Sequence, residues 1–515
     1  MPRLLDLLVV LQDARLVGGL DLPVEGIAYD SRLVRPGDLF VALPGFHSDG
    51  ALYIPDALRR GAVAAVTQAA DASVPEGVPL VLVPDARKAL ARLSAAFHGY
   101  PARRLRVVGV TGTDGKTTTT HLVSSVLEAM GYRTGFITTA DVKVGEEVRY
   151  NDTQHTTPEP VEVQGLLRQM VDAGAHYAVV ESSSHALVLD RLLHCEFDVA
   201  VFTNLSPEHL NFHGSMEEYL LAKARLFAML DGAEEKGVGK RAVLNADDPS
   251  SARLRAATGA PAIWYGLDGA DAPPGTPGSS DKDSLVVASH VRLLPDGAAF
   301  TLVTPLGSVE VRSRLCGLFN VYNWLAAVAV GLSQGATLEQ LKGAVERVEG
   351  VPGRMQRIEA GQPFSVVVDF AHTPQALGTV LSTLRRTTAG RLLVLFGLAG
   401  ERDPGNRAEM GRVAAEMADF GVFTTDDPRF EDPMEIAERI AEGARSRGWR
   451  EGRDYLKVED REEAMREAFR RAGPGDTVLL AGKGHERRQV IGSELVPWND
   501  AEVALRVLTE MGYSG

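Results

Sequence analysis

The sequence predicts an α/β protein of several domains, and three observations carry that reading. At 515 residues the chain is longer than one hydrophobic core usually serves. Its 45% hydrophobic and 24% charged residues are those of an ordinary globular chain, neither disordered nor fibrous. From Leu105 onward, short apolar runs alternate with helical stretches, the pattern of parallel sheets with crossover helices.

The first regime covers residues 1–103. Its opening, MPRLLDLLVVLQDARLVGG, has acids inside the apolar stretch and no small-residue cleavage site after it, so an amphipathic helix is expected rather than a secretory signal. DLFVAL, AVAAV and PLVLVP read as short strands, and ARKALARLSAAFHGY as a helix. In the second regime RVVGV is a strand, TGTDGKTTTTHLVSSVLEAMGY a loop entering a helix, and TGFITT a further strand. HYAVVES, DVAVFTNL and AVLNADD follow, each an apolar run ending in polar residues, which predicts a parallel sheet with its chemistry at the strand ends. Residues 267–284, rich in Gly, Pro, Ser and Asp, read as an exposed loop. SLVVASHVRLLPDGAAFTLVTPLGSVEVRSRL then reads as a β-meander and NVYNWLAAVAVGLSQG as a helix. Past Glu349 and Gly350, the runs SVVVDF, LLVLFG, DFGVFTT and DTVLLAG predict a second α/β domain.

Charge and cysteines narrow the function classes. Lys and Arg number 54 against 68 Asp and Glu, a net charge of −14, which argues against a nucleic-acid scaffold. A small anionic substrate held by a few local cations remains compatible with it. No run approaches the ~18 apolar residues of a membrane span. The two cysteines, Cys195 and Cys316, stand in apolar contexts, so both are expected buried, without a disulfide, in a cytosolic protein.

Strand RVVGV, then TGTDGKTTTT, then an apolar-periodic helix is the context of a phosphate-cradling loop. Gly112 and Gly115 let backbone N–H groups turn inward, Lys116 reaches outer phosphates, and Thr117 offers a hydroxyl to Mg²⁺. The strict Walker spacing fails, because Val110 stands where its first Gly belongs; the competing reading is a Gly-rich turn with a surface lysine. Glu181 and His209 fall at carboxyl ends of strands on the same edge, where a carboxylate and an imidazole suit Mg²⁺, although an N-cap Glu and a satisfied His are the more ordinary fates of such residues in isolation. Lys223 lies on a helix opened by a Ser215…Glu218 capping box. Spacing alone makes it a solvated surface lysine.

Taken together, the ordered motifs resemble the Mur ligase family, and within it the MurE type. They include DSRLVRPGDLFVALPGFHSDG (30–50), GVTGTDGKTTT (109–119), TTPEP (156–160), ESSSHALVLDR (181–191), FTNLSPEHLNFHG (202–214) and YLLAKARLF (219–227). GLFNVYN (317–323), GRMQRIE (353–359), VDFAHTPQAL (368–377), GERD (400–403), TTDDPRFEDP (424–433) and AGKGHE (481–486) continue the match to the end of the chain.

The resemblance implies a three-domain α/β architecture: an N-terminal α/β UDP-binding domain (1–103), a central parallel-sheet ATPase-like domain (104–349) and a C-terminal Rossmann-like domain (350–515). It implies an ATP- and Mg²⁺-dependent, ADP-forming ligase of cytoplasmic peptidoglycan precursor synthesis, working as a monomer. Such an enzyme joins a diamino acid to the D-Glu γ-carboxylate of UDP-MurNAc-L-Ala-D-Glu through an acyl phosphate. By the same resemblance Gly112, Thr113, Asp114, Gly115, Lys116, Thr117 and Thr118 serve the phosphates, and Thr117, Glu181, His209 and Lys223 the metal. Lys116, His209 and Lys223 are the catalytic set, and Lys223 matches a lysine that becomes carbamylated. Asn320, Asn323, Arg354, Asp369 and His372 match nucleotide-contacting positions. Ser31, Phe46, His47 and Ser48 match the uridine contacts; Thr156, Thr157, Ser183 and Arg191 match contacts to the muramoyl dipeptide. Arg402, Asp426, Asp427, Pro428, Arg429, Gly482 and Glu486 match the site of the incoming diamino acid. Closure of the third domain is expected to complete the site and exclude water from the acyl phosphate.

The sequence departs from the family at Asp114, Glu208, Asn211 and Leu189, and AGERD stands for GGDRD, but no catalytic group is lost. The departure that bears on function is Asp427, where the family has Asn. Arg429 suits the far carboxylate of meso-diaminopimelate, whereas Asp427 suits the ammonium of lysine or ornithine; the reading taken is diaminopimelate. The competing readings are a sibling ligase, MurF-like or folylpolyglutamate synthase-like, and a non-catalytic nucleotide-binding protein on the same fold.

Overall fold

The computed structural model describes residues 1–515 apart from 19–20, 46–47, 73, 152, 154, 270–283, 403 and 515. Its first sheet holds β1 (Arg15–Val17), β2 (Gly26–Ala28), β3 (Asp38–Ala42), β4 (Ala64–Thr67) and β5 (Leu80–Leu82) in the order β1-β5-β4-β3-β2. β1 runs antiparallel to β5, and the other neighbours are parallel. β3 and β4 are buried along their whole lengths because both faces are covered. Leu39, Val41, Ala64 and Val66 pack with Leu90 and Leu93 of the helix Ala86–Phe97, and Phe40 and Ala65 with Ile54 and Ala57 on the opposite side. The opening helix is shorter than the sequence pattern predicts, Leu4–Leu8, with Leu4 and Leu7 its buried contacts. Arg15–Val17, at the end of the predicted helix, instead supplies β1.

The central sheet contains β6 (Arg106–Thr111), β7 (Thr134–Ile137), β8 (Asp141–Val144), β9 (Glu147–Tyr150), β10 (Tyr177–Glu181), β11 (Phe197–Phe202), β12 (Arg241–Asn245) and β13 (Ala262–Leu267). They run β13-β12-β11-β6-β10-β7-β8-β9, parallel from β13 to β7, with β8 and β9 antiparallel at the edge. β6 sits between β10 and β11, with Val110 opposite Glu181 and Thr111 opposite Phe202. The strand order reverses on either side of β6, so the carboxyl ends of three strands flank one crevice, where open α/β sheets bind ligands. The predicted meander is present as β14 (Ser284–Leu294), β15 (Gly297–Thr304) and β16 (Gly307–Ser313), neighbours in that order, followed by the predicted helix, Leu318–Ser333. Most of the predicted loop 267–284 lies outside the described residues.

The C-terminal sheet contains β17 (Gln356–Ile358), β18 (Ser365–Asp369), β19 (Leu392–Phe396), β20 (Phe420–Phe423), β21 (Tyr455–Lys457) and β22 (Thr477–Ala481), ordered β17-β18-β22-β19-β20-β21. Only β17 is antiparallel. The four strands read from sequence are β18, β19, β20 and β22, whose alternate residues face two separate cores. Val394 and Leu479 pack against Leu377, Leu381 and Ile440 on one face; Leu393 and Leu480 against Met465, Phe469 and Val507 on the other. A hairpin, β23 (Arg488–Ile491) and β24 (Glu494–Pro497), follows and has no counterpart in the sequence reading.

The chain divides into two compact units: 1–287 with 303–307 and 322–341, and 288–302 with 308–321 and 342–515. Both cysteines are buried and free, as expected. Among the described residues no helix is long and apolar enough to cross a membrane.

Candidate active site

In the first unit, β6 ends at Thr111 and the chain turns through Gly112 (φ +148°) and Gly115 (φ +80°) into the helix Lys116–Ala129. Neither turn has room for a side chain. A Cβ at Gly112 would lie 1.8 Å from Thr203 Oγ1, and one at Gly115 2.4 Å from Asn323 Oδ1. Thr113 N–H donates to Asn204 O (2.8 Å), Asp114 N–H to Asn204 Oδ1 (3.0 Å), and Thr203 Oγ1 to Asp114 O (2.7 Å), so the loop is fixed to the segment after β11. The helical ladder begins at Thr119 N–H to Gly115 O, leaving Gly115 to Thr118 as the turn that a helix N-terminus offers to an anion. Lys116 folds back, its Nζ 2.6 Å from Thr113 O.

Thr117 Oγ1 donates to Glu181 Oε2 (2.9 Å), and Glu181 also accepts from Thr139 N–H (2.9 Å) and Thr139 Oγ1 (3.1 Å). Glu181 closes β10 and is 1% exposed. It is not an N-cap; the helix Ser184–Val188 is capped by Ser183, which accepts from Ala186 N–H.

Lys223 departs furthest from its spacing-based expectation. It projects from the helix Met216–Gly232, is 1% exposed, donates to Gly112 O at 2.7 Å, and lies over the Tyr219 ring, 4.1 Å from its centroid. Burial, and secondarily the Lys116 charge, push its pKa well below the usual lysine value, against the opposing pull of Glu208 and Asp114. Tyr219, which the sequence did not single out, joins the cluster. Its hydroxyl lies 3.3 Å from Thr113 Oγ1, and its ring 6.3 Å from that of His209. His209, in a left-handed conformation at φ +56°, places its imidazole 4.7 Å from His185 and 3.6 Å from the Glu208 carboxylate. The structure therefore gathers Lys116, Thr117, Glu181 and Lys223 around the Gly112–Gly115 turn, with His209 connected through Tyr219. Thr119 Oγ1 donates to Asn323 Oδ1 (3.2 Å), while Asn320 donates to Cys316 O (2.8 Å) one turn earlier on Leu318–Ser333.

Beside Glu181, Thr157 Oγ1 donates to Glu181 O (2.7 Å) and accepts from Ser183 N–H (3.1 Å). Arg191 is buried and already paired, 2.5 Å from Glu159 Oε1 and 3.0 Å from Thr157 O. These two partners fix its guanidinium. Thr156 is half-buried, Ser31 is buried in a hydrogen bond to Asp56, and Ser48 Oγ donates to Tyr53 OH (3.1 Å). Phe46 and His47 lie outside the described residues.

The second unit carries the remaining predicted residues. Arg354 lies over Phe370, 4.7 Å from its centroid. Asp369 accepts from Met355 N–H (2.8 Å) and Ala371 N–H (2.9 Å), yet burial still raises its pKa. His372 is exposed, with Nδ1 2.8 Å from Phe370 O. Arg402 is exposed. Gly482 (φ +103°) admits Asp426, whose Oδ2 would lie 2.7 Å from a Cβ there. Asp426, Asp427 and Glu486 converge on the buried Lys483: Nζ to Asp427 Oδ1 is 2.7 Å, to Glu486 Oε2 2.7 Å and to Asp426 Oδ1 3.8 Å. Burial, reinforced by Asp427 and Glu486, pushes the Asp426 carboxyl up to about 7 despite Lys483 and Arg461. Pro428 O accepts from Glu431 N–H (3.0 Å) in the turn. Arg429 is left-handed (φ +54°), an uncommon state for a side-chain-bearing residue. Two hydrogen bonds to the β23–β24 hairpin fix it there: its N–H donates to Val490 O (3.0 Å), and its O accepts from Gly492 N–H (2.7 Å).

Three family models match successive parts of the chain. "Mur ligase family, catalytic domain" matches residues 23–98, "Mur ligase middle domain" 110–331, and "Mur ligase, glutamate ligase domain" 353–484. The chain belongs to the Mur ligase family. It is an enzyme, an ATP-dependent amide-forming ligase with the three-domain α/β architecture of Mur ligases. Among its relatives, a UDP-N-acetylmuramyl-tripeptide synthetase of Roseiflexus sp. (strain RS-1) is 48% identical, covering 96% of each chain. A UDP-N-acetylmuramoyl-L-alanyl-D-glutamate–2,6-diaminopimelate ligase of Bacillus licheniformis is 41% identical over 99% of this chain and 100% of its own. These make the MurE type the nearest branch of the Mur ligases. A solved structure of a ligase with that second name superposes with a TM-score of 0.63 at 31% identity, covering 96% of each chain. MurF from Thermotoga maritima, solved with ADP, shares the fold at a TM-score of 0.59 and 20% identity, covering 94% of this chain and 96% of its own.

Proposed function

We propose that this Mur ligase joins meso-diaminopimelate to the D-Glu γ-carboxylate of UDP-MurNAc-L-Ala-D-Glu, using ATP and Mg²⁺, as a cytoplasmic monomer in peptidoglycan precursor synthesis. The domain division proposed with it is 1–103 for the acceptor, 104–349 for ATP and 350–515 for the incoming amino acid.

The residues at the phosphate loop suit a nucleotide with its cation. Gly112 and Gly115 keep the loop backbone bare, and the turn into Lys116–Ala129 presents a helix N-terminus. Thr117 Oγ1 and Glu181 Oε2, 2.9 Å apart, are a hard oxygen pair whose separation fits neighbouring positions about Mg²⁺, which bonds oxygen at about 2.1 Å. We assign Thr117, Glu181, His209 and Lys223 to hold it, the last as a carbamate. When bound, Mg²⁺ supplies charge neutralisation at the transferring phosphoryl group. Lys223 as an ammonium is only a donor. Its depressed pKa keeps a neutral amine available to attack CO₂: the nitrogen lone pair forms the N–C bond, one N–H proton leaves to solvent, and an anionic carbamate results. Lys116 sits beside the same loop to meet the outer phosphates, and Thr157, Ser183 and Arg191 line the acceptor side next to Glu181. Activating the γ-carboxylate as an acyl phosphate gives the amine an electrophile that a free carboxylate is not.

The observation that carries the choice of amino acid is Asp427. Its Oδ1 lies 2.7 Å from the Lys483 ammonium and accepts from Val490 N–H at 2.9 Å. That charge is already answered within the protein, and we assign Arg429, whose Nη1 lies 3.8 Å from Glu401 Oε2, to read a second carboxylate, the group diaminopimelate has and lysine lacks. L-Lysine or L-ornithine is the second reading, favoured by the surplus of three carboxylates over one ammonium around Lys483. ATP-dependent phosphate release with UDP-MurNAc-L-Ala-D-Glu and each amino acid separates them. Release with diaminopimelate alone supports the first reading; release with lysine or ornithine replaces it with the second; silence with all three points to a sibling ligase of the same family.

A further inference from the structure

Lys483 is absent from the residues that the motif AGKGHE brought forward, yet its ammonium is the hub of the Asp426–Asp427–Glu486 cluster. The three acidic side chains each place an oxygen within 4.8 Å of the others, a spacing that also suits a metal ion. The cation among them is Lys483 itself, 0% exposed in its side chain. The local sequence turns it there. Gly482 (φ +103°) and Gly484 (φ +50°) flank it, and Glu486 N–H donates to Lys483 O at 2.9 Å, so the loop curls tightly and drives the lysine inward rather than into solvent.

We propose that Lys483 is a positioning residue of the amino-acid site, its buried ammonium fixing Asp427 and Glu486 in the orientation in which the incoming amino acid meets them. This rests on the reading above that Asp427 and Glu486 belong to that site. The two carboxylates come from different elements, Asp427 from the segment after β20 and Glu486 from the loop after β22, and Lys483 bonds both at 2.7 Å. Asp426, Asp427 and Glu486 are the anions in contact, and Arg461 faces Asp426 from the helix Arg461–Arg471. Arg461 is itself neutralised by Asp500 at 2.7 Å and donates to Ala481 O at 2.9 Å. Burial disfavours the Lys483 ammonium, but Asp426, Glu486 and Asp427 outweigh it and hold its pKa above the usual lysine value. Burial likewise raises the Glu486 carboxyl against the pull of Lys483. Without the ammonium, like charges are left buried together, and their protonation moves to higher pH.

The test compares the full-length chain with Lys483→Met in steady state across pH, using ATP, UDP-MurNAc-L-Ala-D-Glu and, separately, meso-diaminopimelate, L-lysine and L-ornithine. Lys483→Met is expected to raise KM for the accepted amino acid by about ten- to hundredfold. KM for ATP should stay in place, and the acid limb of the amino-acid KM profile should move to higher pH. A merely structural lysine would lower the folded fraction and leave that limb unmoved. If Lys483→Met does not fold, the comparison is made between Asp427→Asn and Asp427→Asn with Lys483→Met, where ammonium and carboxylate leave together. Unchanged KM and an unmoved limb, in a parental chain that joins one of the amino acids, overturn this proposal alone. A parental chain that joins none overturns the reading on which it rests.

Discussion

Thr117 and Glu181 are 64 residues apart in the chain, yet Thr117 Oγ1 donates to Glu181 Oε2 across 2.9 Å at the junction of the Gly-rich loop and the sheet. The bond exists because β6 and β10 are parallel neighbours in register, Val110 opposite Glu181, so the end of one strand delivers the loop and the end of the other the carboxylate. Glu181→Gln keeps the acceptor oxygen and the shape but removes the charge. The expected result is a folded protein whose kcat/KM falls by about 10²–10³-fold. Weaker Mn²⁺ binding to the ATP-loaded protein, followed by electron paramagnetic resonance, is the second readout. Unaltered Mn²⁺ binding would remove Glu181 from the metal site.

Lys223 is expected to act as a carbamate. Lys223→Ala should lose activity by about a hundredfold or more, exceeding what loss of an outer partner of a metal costs. A short carboxylic acid added in excess should restore part of it, and ¹³C-bicarbonate should give a carbamate resonance in the parental protein that Lys223→Ala lacks. Full activity in bicarbonate-depleted buffer with no such resonance would sink the assignment.

The cradle at Gly112 admits no side chain. Gly112→Ala sets a Cβ 1.8 Å from Thr203 Oγ1 at φ +148° and should destabilise the first unit by roughly 2–4 kcal/mol. Urea unfolding of the two proteins measures it; a loss below experimental error would mean that the loop relaxes freely.

Asp426 links stability to pH. Its folded pKa of about 7 lies above the ordinary 3.8, so between those values the native state binds more protons than the unfolded chain. Its contribution is therefore fully present below about pH 4 and is lost as the pH rises to 7. Asp426→Asn, which cannot ionise, should lose less stability between pH 5 and 8 than the parental chain does. Equal losses in denaturant titrations at the two pH values would contradict the shift.

Much of this was legible because it obeys local rules. RVVGV followed by a Gly-rich turn and an apolar-periodic helix announces a strand, a tight turn and a helix N-terminus, and the structure has all three in that order. Cys195 and Cys316 were readable as buried from their apolar neighbours. Lys223 was not, because helical spacing says which face a residue occupies but not what covers that face; here it is Tyr219 and the Gly112 carbonyl, the latter 111 residues away. Lys483 was missed for a related reason: Glu486 lies only three residues on, but Asp427 meets it through the order of β20 and β22 in the sheet. Arg191 was legible as a cation beside the acceptor motif, but its pairing with Glu159 is a tertiary fact. The helix expected over the first residues yields to β1, where pairing with β5 overrides amphipathic spacing.

The most direct measurement is the mass of the nucleotide product formed from ATP, Mg²⁺, UDP-MurNAc-L-Ala-D-Glu and meso-diaminopimelate by the purified chain. The account predicts one new species, heavier than the acceptor by diaminopimelate less water, with ADP formed in equal amount and only when all substrates are present. ADP formed without the acceptor, or no adduct with meso-diaminopimelate, would contradict it.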